Sequence, residues 1–170
     1  MIKAIEPLGK HDRAAFSCGV ASLDDWFRLR AGQDEKRNVA RVFVAIDDQG
    51  GIVGFYSLSS FTLTIADLPP EQAKRLPRYD AIPAALIGRL ARDEKVRGEG
   101  VGELLLADAI RRVIGAARSL AVFAIVVEAT DEKAAAFYRD FGFTAFPNRP
   151  RRLFMPASEA AKAVSRALSR

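Results

Sequence analysis

The sequence predicts a mixed α/β fold, and three stretches carry that prediction. Asp47, Asp48, Gln49, Gly50 and Gly51 separate two apolar runs, the arrangement of a turn between two hairpin strands. Val101, Leu104, Leu105, Ala109, Ile110, Val113 and Ala117 recur at helical spacing directly after a glycine loop. Residues 121–127 form a nearly continuous apolar run, as expected of a central strand buried on both faces.

The remaining elements follow in chain order. Ser22 reads as an N-cap, with Asp24 and Asp25 in a first turn where carboxylates suit the helix dipole, and that helix runs through Trp26, Phe27 and Leu29. Residues 41–46 read as a strand and 52–64 as its hairpin partner. Pro69, Pro70 and Pro77 mark a connection, and 85–92 is the next strand. Thr130 is placed to cap another helix, with Asp131 and Glu132 in its first turn and Gly142 at its end. Residues 143–146 and 152–155 read as two closing strands. Residues 158–168 read as a short helix with little to fix its position.

A chain of 170 residues fits one domain that buries roughly 70% of the surface it exposes unfolded. We expect that domain over 1–156, followed by a C-terminal helical tail over 157–170. The chain is 49% hydrophobic and 28% charged, an ordinary globular balance, and its apolar runs fall short of the ~20 residues that span a bilayer. No apolar h-region with a cleavage site opens the sequence, so a cytoplasmic protein is expected. One cysteine, Cys18, excludes an internal disulfide, and with one histidine, His11, no His/Cys metal cluster is expected. The net charge of +5 is compatible with an anionic ligand or nucleic acid and requires neither. The basic residues fall in clusters: Arg89, Arg92, Lys95 and Arg97; Lys74, Arg75 and Arg78; Arg149, Arg151 and Arg152.

The most informative segment is residues 90–102, in which a strand leads through charged residues into Gly98, Gly100 and Gly102 and then into a helix. Its chemistry is anion capture. A helix start presents free N–H groups and the positive end of the dipole, and glycines let phosphate oxygens approach the backbone. Arg97 adds a cation. A P-loop requires Lys-Ser/Thr after its last glycine, where this chain has Glu103 and Leu104, and GxGxxG requires glycine at Glu103. Neither spacing fits.

Arg97-Gly98-Glu99-Gly100-Val101-Gly102 resembles the Arg/Gln-x-x-Gly-x-Gly/Ala motif of the GNAT acyltransferases, and Ala134-x-x-Phe137-Tyr138 followed by Gly142-Phe143 resembles a second motif of that superfamily. The resemblance implies a twisted, mostly antiparallel sheet of about six or seven strands flanked by helices, with a V-shaped gap between the two central strands. It implies that acetyl-CoA is the cosubstrate, without a metal. The loop of Arg97, Gly98, Glu99, Gly100, Val101 and Gly102 would grip its pyrophosphate, the backbone of Leu90, Ala91 and Arg92 would pair with its pantetheine arm, and Lys133 and Phe137 would add contacts. Position 131, often Asn in the superfamily, is Asp here.

The same resemblance places Tyr138 near the thioester sulfur as a general acid. A phenol of pKa ~10 is protonated at neutral pH, and a thiolate whose parent thiol has pKa ~8.5 leaves more readily when it takes a proton. Tyr138 also shares a helical face with Ala134, Phe137 and Phe141, which equally suits a core role. No general base stands out. An α-amine of pKa ~8 already supplies a neutral fraction at pH 7 that a lysine amine does not. Glu128, at the end of its strand, is either a group that orders a water or a solvated carboxylate.

Beyond the cofactor motif, Phe16-Ser17-Cys18-Gly19, Leu23-Asp24-Asp25-Trp26-Phe27, Arg41-Val42-Phe43-Val44-Ala45, Gly88-Arg89-Leu90-Ala91-Arg92-Asp93 and Arg152-Leu153-Phe154-Met155-Pro156 resemble the GNAT toxins of bacterial type II toxin-antitoxin modules. That resemblance implies acetylation of the α-amine of aminoacyl-tRNA, a block on translation, a ribbon-helix-helix antitoxin as partner and a homodimer. Arg92 departs from the valine of many such toxins. Two other readings stay open on the sequence: a GNAT enzyme acetylating a small amine or a protein N-terminus, and an acetyl-CoA-binding protein without turnover.

Overall fold

The computed structural model describes residues 1–169. The strands are β1 (Ile2–Pro7), β2 (Arg41–Asp47), β3 (Ile52–Thr64), β4 (Ala81–Arg92), β5 (Ala124–Glu128), β6 (Thr144–Phe146) and β7 (Arg149–Pro156). The helices are α1 (Ala21–Leu29), α2 (Ala31–Lys36), α3 (Pro70–Ala73), α4 (Val101–Ala116), α5 (Glu132–Phe141) and α6 (Ala157–Leu168). The seven strands form one sheet in the order β1-β2-β3-β4-β5-β7-β6. The β1/β2, β2/β3, β5/β7 and β6/β7 pairs are antiparallel, and β4/β5 is parallel. No helix among the described residues is long and apolar enough to cross a membrane.

Two compact units divide the chain: Met1–Ser59 with Gly88–Ala109, and Ser60–Ile87 with the chain from Ile110 on. In the first, the turn between β2 and β3 is organised by the Asp47 carboxylate, which accepts from the N–H groups of Gly51 and Gln49, each at 2.9 Å. Those bonds hold its carboxyl below the ordinary range. The hairpin then pairs Phe43 with Tyr56 and Arg41 with Leu58. β1 adds an edge strand that the sequence pattern does not announce, because its apolar alternation breaks where the register shifts between Ile2 and Ala4.

Helix α1 starts two residues earlier than its sequence suggests. Val20 is its extended N-cap and offers no side-chain bond, so Ser22 lies inside the first turn. Asp24 supplies the local order instead. Its buried carboxylate accepts from the Cys18 N–H at 2.8 Å and from the Ser17 hydroxyl at 3.5 Å, which folds the preceding loop onto the helix. Below α1, Phe27 stacks on Phe55 with centroids 4.2 Å apart and Phe16 meets both edge-on. Each ring of this kind, fully buried, stabilises the fold by roughly 1.5–3 kcal/mol.

In the second unit, β4 begins at Ala81, before the expected 85, and Ala84–Ile87 ladder against Ala124–Val127 of β5. All four of those β5 residues are fully buried. Helix α5 is capped by Asp131, not Thr130: the Asp131 carboxylate accepts from the Ala134 N–H at 2.8 Å, the N3 donor that an extended capping residue reaches. Gly142 closes the helix as expected.

The tail is better fixed than its sequence indicates. Helix α6 buries Ala160, Ala163 and Val164, and the Ala157 N–H donates to the Phe123 carbonyl at 2.8 Å. Small side chains let the helix approach closely, and that contact is what periodicity alone does not reveal. Arg170, the last residue of the expected tail, lies outside the described residues.

Candidate active site

The glycine loop belongs to the first unit and is tied down where it begins. The Asp93 N–H donates to the Val53 carbonyl at 2.8 Å and the Glu94 N–H to the Ser17 carbonyl at 2.9 Å. The buried Asp93 carboxylate accepts from the Ser17 and Lys95 N–H groups, at 3.2 and 2.9 Å. Two turns follow, Arg97 N–H to the Glu94 carbonyl and Glu99 N–H to the Val96 carbonyl, each 3.2 Å. The second turn sets Gly98 in left-handed backbone, and Gly100 follows in the same conformation, with φ angles of +81° and +80°. A Cβ at Gly98 would meet nothing within 4 Å, and one at Gly100 would meet only a Glu103 carboxylate oxygen at 3.9 Å. The outer face of the loop is therefore open.

Helix α4 starts on that loop. Its ladder begins with the Leu104 N–H donating to the Gly100 carbonyl at 3.2 Å, so the N–H groups of Val101, Gly102 and Glu103 precede any intrahelical acceptor. Sixteen residues of aligned peptides stand behind them. Two contacts hold α4 close to β3. A Cβ on Gly54 would come within 2.7 Å of Leu105 Cδ1 and 3.2 Å of the Ala91 carbonyl oxygen, so any larger residue here would push Leu105 and the β4 backbone away. The fully buried Tyr56 donates its hydroxyl hydrogen to Asp108 of α4. Arg97 is exposed beside the loop, Ala91 is buried, and Leu90 and Arg92 are half-buried on β4.

Tyr138 belongs to the second unit. Helix α5 buries Ala135, Tyr138 and Phe141, while Ala134 and Phe137 are half-buried and Lys133 is exposed. The phenol ring is 5% exposed and meets Phe137 and Phe143 edge-on, at 5.3 and 5.8 Å. Among the described residues none hydrogen-bonds its hydroxyl, and no fully buried side-chain oxygen or nitrogen lacks a partner. The small accessible part of Tyr138 therefore includes the phenol oxygen. Burial raises its pKa well above that of a free phenol, so the group stays protonated across the neutral range.

Glu128 does not stand ready as a base. It pairs with Arg152, whose Nε lies 3.0 Å away and whose Cζ sits 5.2 Å from the centre of the Phe61 ring. Arg152 is accordingly less free for an outside anion than the sequence cluster implies. Arg149 and Arg151 remain exposed and line a cavity of about 340 Å³ together with Glu128, Ala129, Pro150 and Arg152. Lys74, Arg75 and Arg78 are exposed in the connection after α3. Sequence reasoning missed the ties made by Asp93 and Tyr56. Among the described residues no group of His, Cys, Asp and Glu side chains is arranged to hold a metal.

The glycine turns, the open helix start and the capped helix of Tyr138 coincide with a family match. Residues 38–145 match the model of the acetyltransferase (GNAT) domain. The chain belongs to the GNAT acetyltransferase family. This GNAT protein is 40% identical over 149 residues to a tRNA-acetylating toxin of Mycobacterium tuberculosis, covering 88% of each chain. It is 35% identical over 164 residues to the probable toxin TacT of Sinorhizobium fredii, covering 91% of each. Among solved structures, AtaT complexed with acetyl-methionyl-tRNAfMet superposes with a TM-score of 0.85 at 27% identity, over 94% of this chain and 97% of that one. AtaTR bound with acetyl-CoA gives 0.81 at 27%, over 94% and 96%. A mutant AtaT bound to the C-terminus of its antitoxin AtaR gives 0.79 at 25%, over 94% and 96%.

Proposed function

We propose that this chain transfers the acetyl group of acetyl-CoA to the α-amine of an aminoacyl-tRNA and so blocks translation as a toxin. The observation that carries the chemistry is the loop at the start of α4, where two left-handed glycines and three N–H groups ahead of the helical ladder leave an open anion cradle. The acceptor reading is supported by the relatives, one of them a tRNA-acetylating toxin and another solved with acetyl-methionyl-tRNA. Acetyl-CoA supplies an activated thioester.

In this reading the amides of residues 98–102 hold the pyrophosphate and Arg97 adds charge. The backbone of Leu90, Ala91 and Arg92 offers its edge to the pantetheine arm, because the β4/β5 ladder ends at Ile87 while β4 runs on to Arg92. Lys133 and Phe137 contribute further cofactor contacts. The Tyr138 hydroxyl gives its proton to the departing sulfur and regains one from solvent. The amine nitrogen attacks in its neutral form and releases its proton to water. No side-chain base is required, since an α-amine of pKa ~8 is partly neutral at pH 7.

Lys74, Arg75, Arg78, Arg149 and Arg151 meet tRNA phosphates. The working protein is a cytoplasmic homodimer held in check by a ribbon-helix-helix antitoxin, in keeping with the AtaT–AtaR complex. Residues 1–156 make up the acetyltransferase domain and 157–170 its tail. Single-turnover acetyl transfer to a panel of charged tRNAs and free amines tests the proposal. Acetylation of charged tRNA at rates well above those of free amines is expected. Preference for a small amine would replace the acceptor, and no transfer to any amine would leave a binding protein.

A further inference from the structure

Within the first unit, β3 presents its two sides to different helices. Gly54 and Tyr56 face α4, while Phe55 packs with Trp26 and Phe27 of α1. On β4, Ala91 joins the core beneath α1, and Arg89, two residues earlier, projects to that same side. Its guanidinium carbon lies 4.1 Å from the centre of the Trp26 ring.

Both partners of this stack are held. The Trp26 Nε1–H donates to Asp34 Oδ2 at 2.9 Å, and the main-chain N–H of Arg89 donates to the Ser57 hydroxyl at 3.1 Å. Partial burial removes hydration from the Arg89 cation and lowers its pKa, and the charge of Asp34 partly offsets that cost. Yet the guanidinium has no acceptor among the described residues. Three other partly covered arginines do: Arg13 and Arg28 give their donors to the carbonyls of Phe27 and Phe16, and Arg152 to Glu128. A planar fork with five N–H donors, stacked on an indole and left unpaired, is oriented for an anion from outside.

We propose that Arg89 is an acceptor-binding residue whose guanidinium receives a backbone phosphate of the acceptor RNA on the α1 side of the sheet. The inference rests on the aminoacyl-tRNA reading above. It separates the two ligands, the acetyl donor at the start of α4 and the acceptor on the opposite face of β3 and β4. Arg pairs with phosphate through two parallel N–H bonds, and the stack on Trp26 fixes the plane in which they point. A lysine at the same place keeps the charge and loses the fork.

Arg89→Gln and Arg89→Lys test this against wild type, with purified charged tRNA as substrate. Arg89→Gln should raise the KM for charged tRNA about tenfold or more while kcat at saturation, acetyl-CoA affinity and melting temperature stay near wild type. The slope of log affinity for tRNA against log salt should shrink by about one for Arg89→Gln and stay at the wild-type value for Arg89→Lys. An unchanged KM and salt slope in Arg89→Gln would overturn the inference and leave the acceptor reading intact. A fall in kcat and melting temperature with no change in KM would overturn it in favour of a packing role. If wild-type protein transfers no acetyl group to charged tRNA, the acceptor reading and this inference fail together.

Discussion

Tyr138→Phe separates chemistry from packing because the two roles make different demands on one oxygen. The ring and its contacts with Phe137 and Phe143 survive the substitution, and no residue loses a hydrogen bond when the hydroxyl is removed. The stability change should therefore stay within about 0.5 kcal/mol at neutral pH. A proton donor typically contributes 10²- to 10⁴-fold, which corresponds to about 3–5 kcal/mol of barrier, several times the structural effect. Burial raises the folded-state pKa of this phenol, so folding favours the protonated form. Its contribution to stability is present below the unfolded pKa of ~10 and is lost as pH climbs above it. Phenylalanine cannot ionise, so the variant should lose less stability than wild type above pH ~10. The assay is single-turnover acetyl transfer at pH 7 alongside melts at neutral and alkaline pH. Wild-type turnover in a folded, acetyl-CoA-binding Phe variant would refute the proton-donor role and leave water or substrate to protonate the sulfur.

Three further outcomes are expected. Gly100→Glu forces a side chain into left-handed backbone and sets a carboxylate in the phosphate cradle, so calorimetry should show acetyl-CoA binding abolished while the protein still folds, at a cost of about 1–2 kcal/mol. Gly54→Ala drives a methyl against Leu105 and the Ala91 carbonyl, and denaturant unfolding should register a loss of about 1–3 kcal/mol. Charge reversal at Arg149 and Arg151 should weaken tRNA binding and flatten its salt dependence without changing acetyl-CoA affinity, as read by filter binding across a salt series.

Local signals in the sequence read well because they act over a few residues. The β2/β3 turn is set by Asp47 and its glycines, and the loop ahead of α4 by alternate glycines at a strand-to-helix junction; both turns form where expected. Contacts between distant positions leave no such trace. The Glu128–Arg152 pair follows from the β5/β7 register, which sets those two residues opposite each other across 24 positions of sequence. The Arg89–Trp26 stack follows from strand alternation combined with the place of α1 over β3 and β4. The helix caps mark a middle case. Thr130 and Asp131 both carry capping side chains, and which one caps is decided by where the helix begins, at Glu132, a property neither side chain announces.

An anion cradle made of main-chain amides works only if the main chain cannot drift, since a helix start that shifts by an ångström aims its N–H groups elsewhere. Here restraint is applied on both sides of the loop. Upstream, Asp93 and Glu94 are bonded to Val53 and Ser17, so the last turn before the glycines is anchored to the β3 backbone and to the segment before α1. Downstream, the missing side chain at Gly54 lets Leu105 settle against β3, and the Tyr56 hydroxyl holds Asp108 a turn further along α4. Gly98 and Gly100 lie between these anchors, and the freedom that glycine has in an unfolded chain is given up there for two fixed left-handed residues. The segments that touch no cofactor in this reading, Ser17, Val53, Gly54 and Tyr56, thus set the geometry of the ones that do. If the loop holds acetyl-CoA as proposed, the amino-terminal half of the chain shapes that site without contributing a single ligand to it.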